Sequence, residues 1–193
     1  MTIRAILWDF GGTLADETWM LAPMDGDEEW PGIYQEVLAA DDLVRRWNEG
    51  EATTAEVVEA LASRSGKGRG PIMAHMQSCC RRLKFNHRVL GLAAKGALPQ
   101  ALVTVNPDIF TEVVASHYGL TKMFDVIVTS WQEGFSDKGL LCEIARMWLD
   151  PNLMPAECLL IDNNADNVAA WEARGGIGLH FTSEGALVDF WPF

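Results

Sequence analysis

Residues 3–14 read IRAILWDFGGTL. The run from Ile3 to Trp8 has the length and bulky apolar content of a short strand. It stops at Asp9, and the glycines that follow, Gly11 and Gly12, form a tight turn whose amides can approach a ligand. Taken alone, the hexapeptide Asp9–Leu14 is either a nucleophile turn or an ordinary strand-to-loop junction.

Three further apolar segments of strand length follow: Ala101 to Val105, Val126 to Thr129 and Leu159 to Ile161. Each ends at a polar residue and runs into a helix signal: Pro107 before the 108–118 stretch, Ser136 and Asp137 before Lys138 to Trp148, and Asn164 before Ala165 to Arg174. Gly175 and Gly176 stop the last helix, and Ile177 to Phe181 reads as another strand. Strands alternating with ten-residue helices predict βαβ units with right-handed crossovers, an α/β class with a doubly wound parallel sheet. In such sheets ligands bind beyond the carboxyl ends of the strands, where Asp9, Asn106 and Asp162 would sit.

Residues 16–84 break the rhythm. They carry helical periodicity and no convincing strand, so the chain reads as an α/β core over 1–15 and 85–193 with an inserted helical cap over 16–84. Within the insert, Thr53 and Glu56 have capping-box spacing, and Asp41 with Arg45 and Asp42 with Arg46 are spaced as i,i+4 ion pairs. Ser65 to Pro71 (SGKGRGP) lacks the P-loop pattern and reads as a flexible loop.

The 193 residues are 49% hydrophobic and 22% charged, a composition able to bury a full core. Fifteen Lys plus Arg stand against 27 Asp plus Glu, a net charge of −12, which repels a nucleic-acid backbone. A phosphorylated small molecule requires a locally positive site. Cys79, Cys80, Cys142 and Cys158 have neither zinc nor disulfide-scaffold spacing and read as reduced thiols. No apolar run approaches a membrane span or a signal peptide, so a cytoplasmic protein is expected. The apolar end, Phe190, Trp191 and Phe193, must pack on the core or on a second subunit, which would make a homodimer.

Asn106 and Pro107 have N-cap and N1 spacing, and the helix start they imply can also meet an anion. Lys138 opens a helix just beyond the third strand and can reach the same edge. Asp162 follows an apolar triplet as Asp9 does. Two nearby carboxylates repel unless a cation lies between them, which suggests a Mg²⁺ site.

In this order and spacing the set resembles the haloacid dehalogenase superfamily of hydrolases, most of which are Mg²⁺-dependent phosphatases. WDFGGTL is similar to the first motif, LVTVN to the second, Lys138 to the third and LLIDNNADN to the fourth. The segment Trp47 to Leu61, with Gly50 and TTAE, resembles the small helical cap between the first two motifs. The resemblance implies a phosphatase acting on a small phosphorylated metabolite through an aspartyl-phosphate on Asp9. It also implies Mg²⁺ held by Asp9, the carbonyl of Gly11 and Asp162, and a phosphoryl group met by Lys138, Gly12, Thr13, Val105 and Asn106.

Three positions depart from the phosphatase pattern. Gly11 replaces the second acid of the first motif, which removes the expected proton donor. Val105 replaces a Ser or Thr, with Thr104 expected on the opposite strand face. Asn163 replaces the second acid of the fourth motif. Two other readings therefore stand beside the phosphatase. One is a metal-independent 2-haloacid dehalogenase, which needs a cap arginine such as Arg45 or Arg46. The other is a catalytically silent binding module. The basic group Arg81, Arg82, Lys84, His87 and Arg88 reads as a solvated face. Trp19, Trp30 and Trp47 read as core packing, with a substrate pocket as the alternative.

Overall fold

A computed structural model describes residues 2–185 and 187 of the chain. The terminal aromatic cluster at 190, 191 and 193 lies outside these residues. Five strands form one parallel sheet in the order β3-β2-β1-β4-β5: β1 (Ala5–Trp8), β2 (Gln100–Thr104), β3 (Val126–Thr129), β4 (Cys158–Asp162) and β5 (Ile177–His180). The expected doubly wound α/β class is found, with strand ends shifted by one or two residues. β1, β2 and β4 are buried along their whole length, as parallel strands covered on both faces must be.

The strand period of two sorts the core into two layers. Ile6, Trp8 and Phe10 of the β1 region join Leu102, Leu159 and Ile161 on one face, beneath the helices inserted after β1. Ala5 and Leu7 join Val103 and Leu160 on the other face. There they pack on Leu141, Cys142 and Ala145 of α7 (Lys138–Leu149) and on Trp171 of α8 (Ala165–Glu172).

Between β1 and β2 the chain forms α1 (Trp30–Ala39), α2 (Leu43–Asn48), α3 (Thr54–Ser65), α4 (Arg69–Cys80) and α5 (His87–Lys95). The Thr53–Glu56 capping box is formed and starts α3. The loop read over 65–71 is shorter than expected. Gly66 ends α3 in the left-handed conformation at φ +70, and α4 already begins at Arg69. Pro71 is tolerated there because the amides of a first helical turn need no intrahelical acceptor.

The two i,i+4 pairs expected from Asp41 and Asp42 are not formed. Both residues take positive φ and break the chain between α1 and α2, a conformation that short polar side chains tolerate. Arg45 instead pairs with Asp42, Glu49 and Glu51 on the surface.

After β2 the chain forms a helix containing a π-helical segment, Phe110–Ala115, and α6 (Ser130–Glu133) follows β3. Gly50 fixes how the turn after α2 meets the core: its φ is +72, and a Cβ there would lie 2.5 Å from the carbonyl oxygen of Trp131. Trp30 and Trp47 are core residues, as expected. The side chains of Arg81, Arg82, Lys84, His87 and Arg88 are exposed, as a solvated face should be. The four cysteines are free and buried.

Candidate active site

The register of the sheet brings the two acids together. Trp8 pairs with Ile161, and the Asp9 amide donates to the Ile161 carbonyl at 2.9 Å, so Asp9 and Asp162 stand side by side at the carboxyl edge. Both continue the strand face that packs on α7, and Lys138 is the first residue of α7. Asp137 caps that helix through a bond from the Leu140 amide at 2.8 Å, which fixes where Lys138 starts.

The Lys138 ammonium donates to Asp9 Oδ1 at 2.6 Å and to the Val103 carbonyl at 2.7 Å, and it pairs with Asp162 Oδ2 at 3.0 Å. Two of its donors are thus engaged in hydrogen bonds, and its charge is shared with Asp162. Asp162 is fully buried and also accepts from the Asn164 amide at 2.8 Å and from Asn167 Nδ2 at 3.2 and 3.1 Å. Asn164 in turn caps α8 through the Asp166 amide.

Burial drives the Asp9 carboxyl up from its ordinary 3.8 to about 6; Lys138 opposes that rise and the Asp162 charge adds to it. Burial works against the Lys138 charge, but the Asp9 and Asp162 carboxylates outweigh it and hold its pKa above the ordinary lysine range.

Asp9, Gly11, Val105, Asn106 and Lys138 border one cavity of about 260 Å³. Asp162 lies beneath it, reached through Lys138. Gly12 and Thr13 do not border this cavity but a neighbouring one. The Thr13 hydroxyl accepts the Asn163 amide at 3.1 Å, which ties the turn after β1 to the loop after β4. Asn106 departs from its expected capping role: its Nδ2 donates to Thr104 Oγ1 at 2.6 Å, while Pro107 supplies the first carbonyl of the helix, accepting from the Phe110 amide. Thr104 sits on the opposite strand face from Val105, yet it also borders the cavity.

Asn163, the departure in the fourth motif, lines the cavity with Asn164, and Glu17 and Asn167, which the motifs do not single out, border it too. Trp19 borders the cavity as well, unlike Trp30 and Trp47. Glu17 carries no sequence signal: it belongs to no motif, and it meets the site where the turn at Gly12 lies against it.

The site matches a divalent cation in donor type and in charge. Asp9 and Asp162 against the Lys138 ammonium leave the trio one positive charge short of neutrality, and carboxylate and carbonyl oxygens are among the groups at the cavity. Mg²⁺ is commonly held by only one or two carboxylates together with water and substrate phosphate. Among the described residues no cluster of three or more His, Cys, Asp and Glu side chains forms a ready-made metal site. Asp9 and the main chain of Gly11 face the cavity, whereas Asp162 would exchange a present donor for the ion.

No protein-family model matches the sequence, and no curated protein matches it. Solved structures do. A haloacid dehalogenase (HAD) family enzyme of Bacteroides thetaiotaomicron, in complex with magnesium and inorganic phosphate, superposes with a TM-score of 0.72 over 94% of this chain and 96% of that one, at 19% identity. The fold is that of the HAD enzymes. L-2-haloacid dehalogenase from Xanthobacter autotrophicus, with chloropropionic acid covalently bound, shares the HAD fold at a TM-score of 0.66 and 19% identity, covering 97% of this chain and 81% of that one. A predicted HAD-like hydrolase from Porphyromonas gingivalis matches over 100% of both chains at a TM-score of 0.67 and 17% identity. The HAD fold thus accommodates the whole described chain, inserted helices included.

Proposed function

We propose that the protein is a HAD-like hydrolase, specifically a Mg²⁺-dependent phosphatase that acts on a small phosphorylated metabolite through an aspartyl-phosphate intermediate. The observation that carries this reading is the convergence of Asp9 and Asp162 on the single Lys138 ammonium beside an open polar cavity. Asp9 is the nucleophile: of the two acids it alone borders the cavity. Mg²⁺, held by Asp9, the Gly11 carbonyl and Asp162, would supply positive charge against a phosphoryl dianion.

The residues of the chain do the rest. Lys138 holds the attacking carboxylate in one rotamer and keeps it ionised. Asn106 is steadied by Thr104 and offers an amide toward the phosphoryl oxygens, which replaces in part the hydroxyl missing at Val105. The inserted helices and Trp19 bound the space in which the leaving group sits.

The dehalogenase reading requires a cation for the haloacid carboxylate. Arg45 is committed to three surface acids, and Arg46 borders a separate cavity among the inserted helices. The site cavity has no arginine among its described lining residues. Turnover of an aryl phosphate, dependent on Mg²⁺ and lost in Asp9→Asn, is the expected result. Halide release from chloroacetate that persists in chelator would favour the dehalogenase, and metal binding without turnover of any phosphate ester would leave the silent module.

A further inference from the structure

The group missing at position 11 has a replacement in space. Gly11 is not required by its backbone: its φ is ordinary, and an added Cβ would find only Glu17 Cγ, at 3.5 Å. Gly12 is required, with φ +73 and a Cβ position that overlaps Glu17 Oε1 and Asn163 Nδ2. The Glu17 side chain therefore lies directly over the first-motif turn, in the volume that a side chain at position 11 would enter.

It is also held there. Asn163 Nδ2 donates to Glu17 Oε1 at 2.5 Å, while Oε2 makes no bond to the described residues. An acid at position 163 would face the Glu17 carboxylate and repel it, so Gly11 and Asn163 make one consistent arrangement around Glu17. Among the described residues that border the cavity, Asp9 and Glu17 are the acids and none is a histidine. Asp9 is the nucleophile and the Lys138 ammonium is held by Asp9, the Val103 carbonyl and Asp162, which leaves Glu17 to carry a proton.

We propose that Glu17 is the catalytic acid–base of the reaction, an inference that rests on the phosphatase reading. As an Asp9 oxygen bonds to phosphorus, the bond from phosphorus to the ester oxygen breaks. The departing oxygen keeps that electron pair and takes the proton of Glu17, giving the free alcohol, aspartyl-phosphate and a Glu17 carboxylate. Glu17 then takes a proton from water as the water oxygen bonds to phosphorus. The bond from phosphorus to Asp9 breaks, returning the Asp9 carboxylate, inorganic phosphate and protonated Glu17. Exposure of Glu17 to solvent lets it exchange protons between turnovers.

The test compares Glu17→Gln, which keeps the acceptor for Asn163, with the wild type on an aryl phosphate and an alkyl phosphate in Mg²⁺. Alkyl phosphate turnover should fall about 10²- to 10⁴-fold. The aryl ester, whose leaving group needs no proton, should give one rapid burst and then stall, and intact-mass spectrometry should show the chain carrying one phosphoryl group. Gly11→Asp in the Glu17→Gln background should restore turnover of both esters. An active wild type with Glu17→Gln unchanged, or reduced equally on both esters with no covalent adduct, overturns the assignment alone. A wild type inert toward both esters overturns the phosphatase reading and the assignment with it.

Discussion

Asp9 shows a conflict between chemistry and stability that can be measured. Because its folded pKa is raised from 3.8 to about 6, the native state holds this proton more tightly than the unfolded chain does. For this group, acidification from pH 6 to pH 4 therefore adds stability, and above pH 6 the buried charge costs about 3 kcal/mol. Asn mimics the protonated acid. In metal-free buffer, Asp9→Asn should be more stable than wild type at pH 8 and closely similar at pH 4, by urea denaturation, although it cannot turn over substrate. Lower stability of the variant at pH 8 would show that the Lys138 pair outweighs burial. On the proposed reading, the same proton competes with Mg²⁺ for the Asp9 carboxylate. The rise in thermal midpoint given by saturating Mg²⁺ at pH 8 should shrink as the pH falls through about 6, and a shift independent of pH would remove Asp9 from the ligand set.

At the scale of elements, Asp108 joins the inserted helices to the core. One carboxylate oxygen accepts Trp47 Nε1 at 2.9 Å and the Thr54 hydroxyl at 2.5 Å; the other accepts the Thr54 amide at 2.9 Å. Asp108→Ala leaves the Thr54 amide without that partner and should cost about 1–3 kcal/mol. Hydrogen exchange at the Thr54 amide should accelerate more than exchange in β1; a uniform change across both would mean that the bond stabilises the molecule as a whole and not this junction.

The strands were legible because each buried run ends abruptly at a polar residue, as Leu159–Ile161 does at Asp162, and the caps at Thr53, Asp137 and Asn164 announce their helices. Helical spacing is blind to positive φ, so it does not reveal the break at Asp41 and Asp42. Thr13 and Glu17 show where motif spacing stops: the Thr13 hydroxyl binds the Asn163 amide, and Glu17, outside every motif, reaches the cavity. Both residues flank the left-handed turn at Gly12, which lies against Glu17 and Asn163, and spacing alone does not reveal such a turn.

At the scale of the whole molecule, the net charge of −12 opposes the approach of the phosphorylated substrate proposed above, so attraction at the site has to come from Lys138 and a bound cation. The two effects differ in range. Lys138 and a bound cation act over a few ångströms in a buried place that salt screens little, whereas the surface field reaches about 30 Å at 0.01 M salt and about 10 Å at 0.1 M. Raising KCl from 0.01 to 0.1 M at saturating Mg²⁺ should therefore increase kcat/KM for a phosphate monoester severalfold, while kcat stays constant. A neutral analogue of similar size used as a competitive inhibitor should bind equally at both salt concentrations. If kcat/KM falls with salt instead, the approaching anion is steered by a local positive field that dominates the acidic surface. The exposed side chains of Arg82 and Lys84, which border cavities beside the inserted helices, would then be the first to replace with neutral residues.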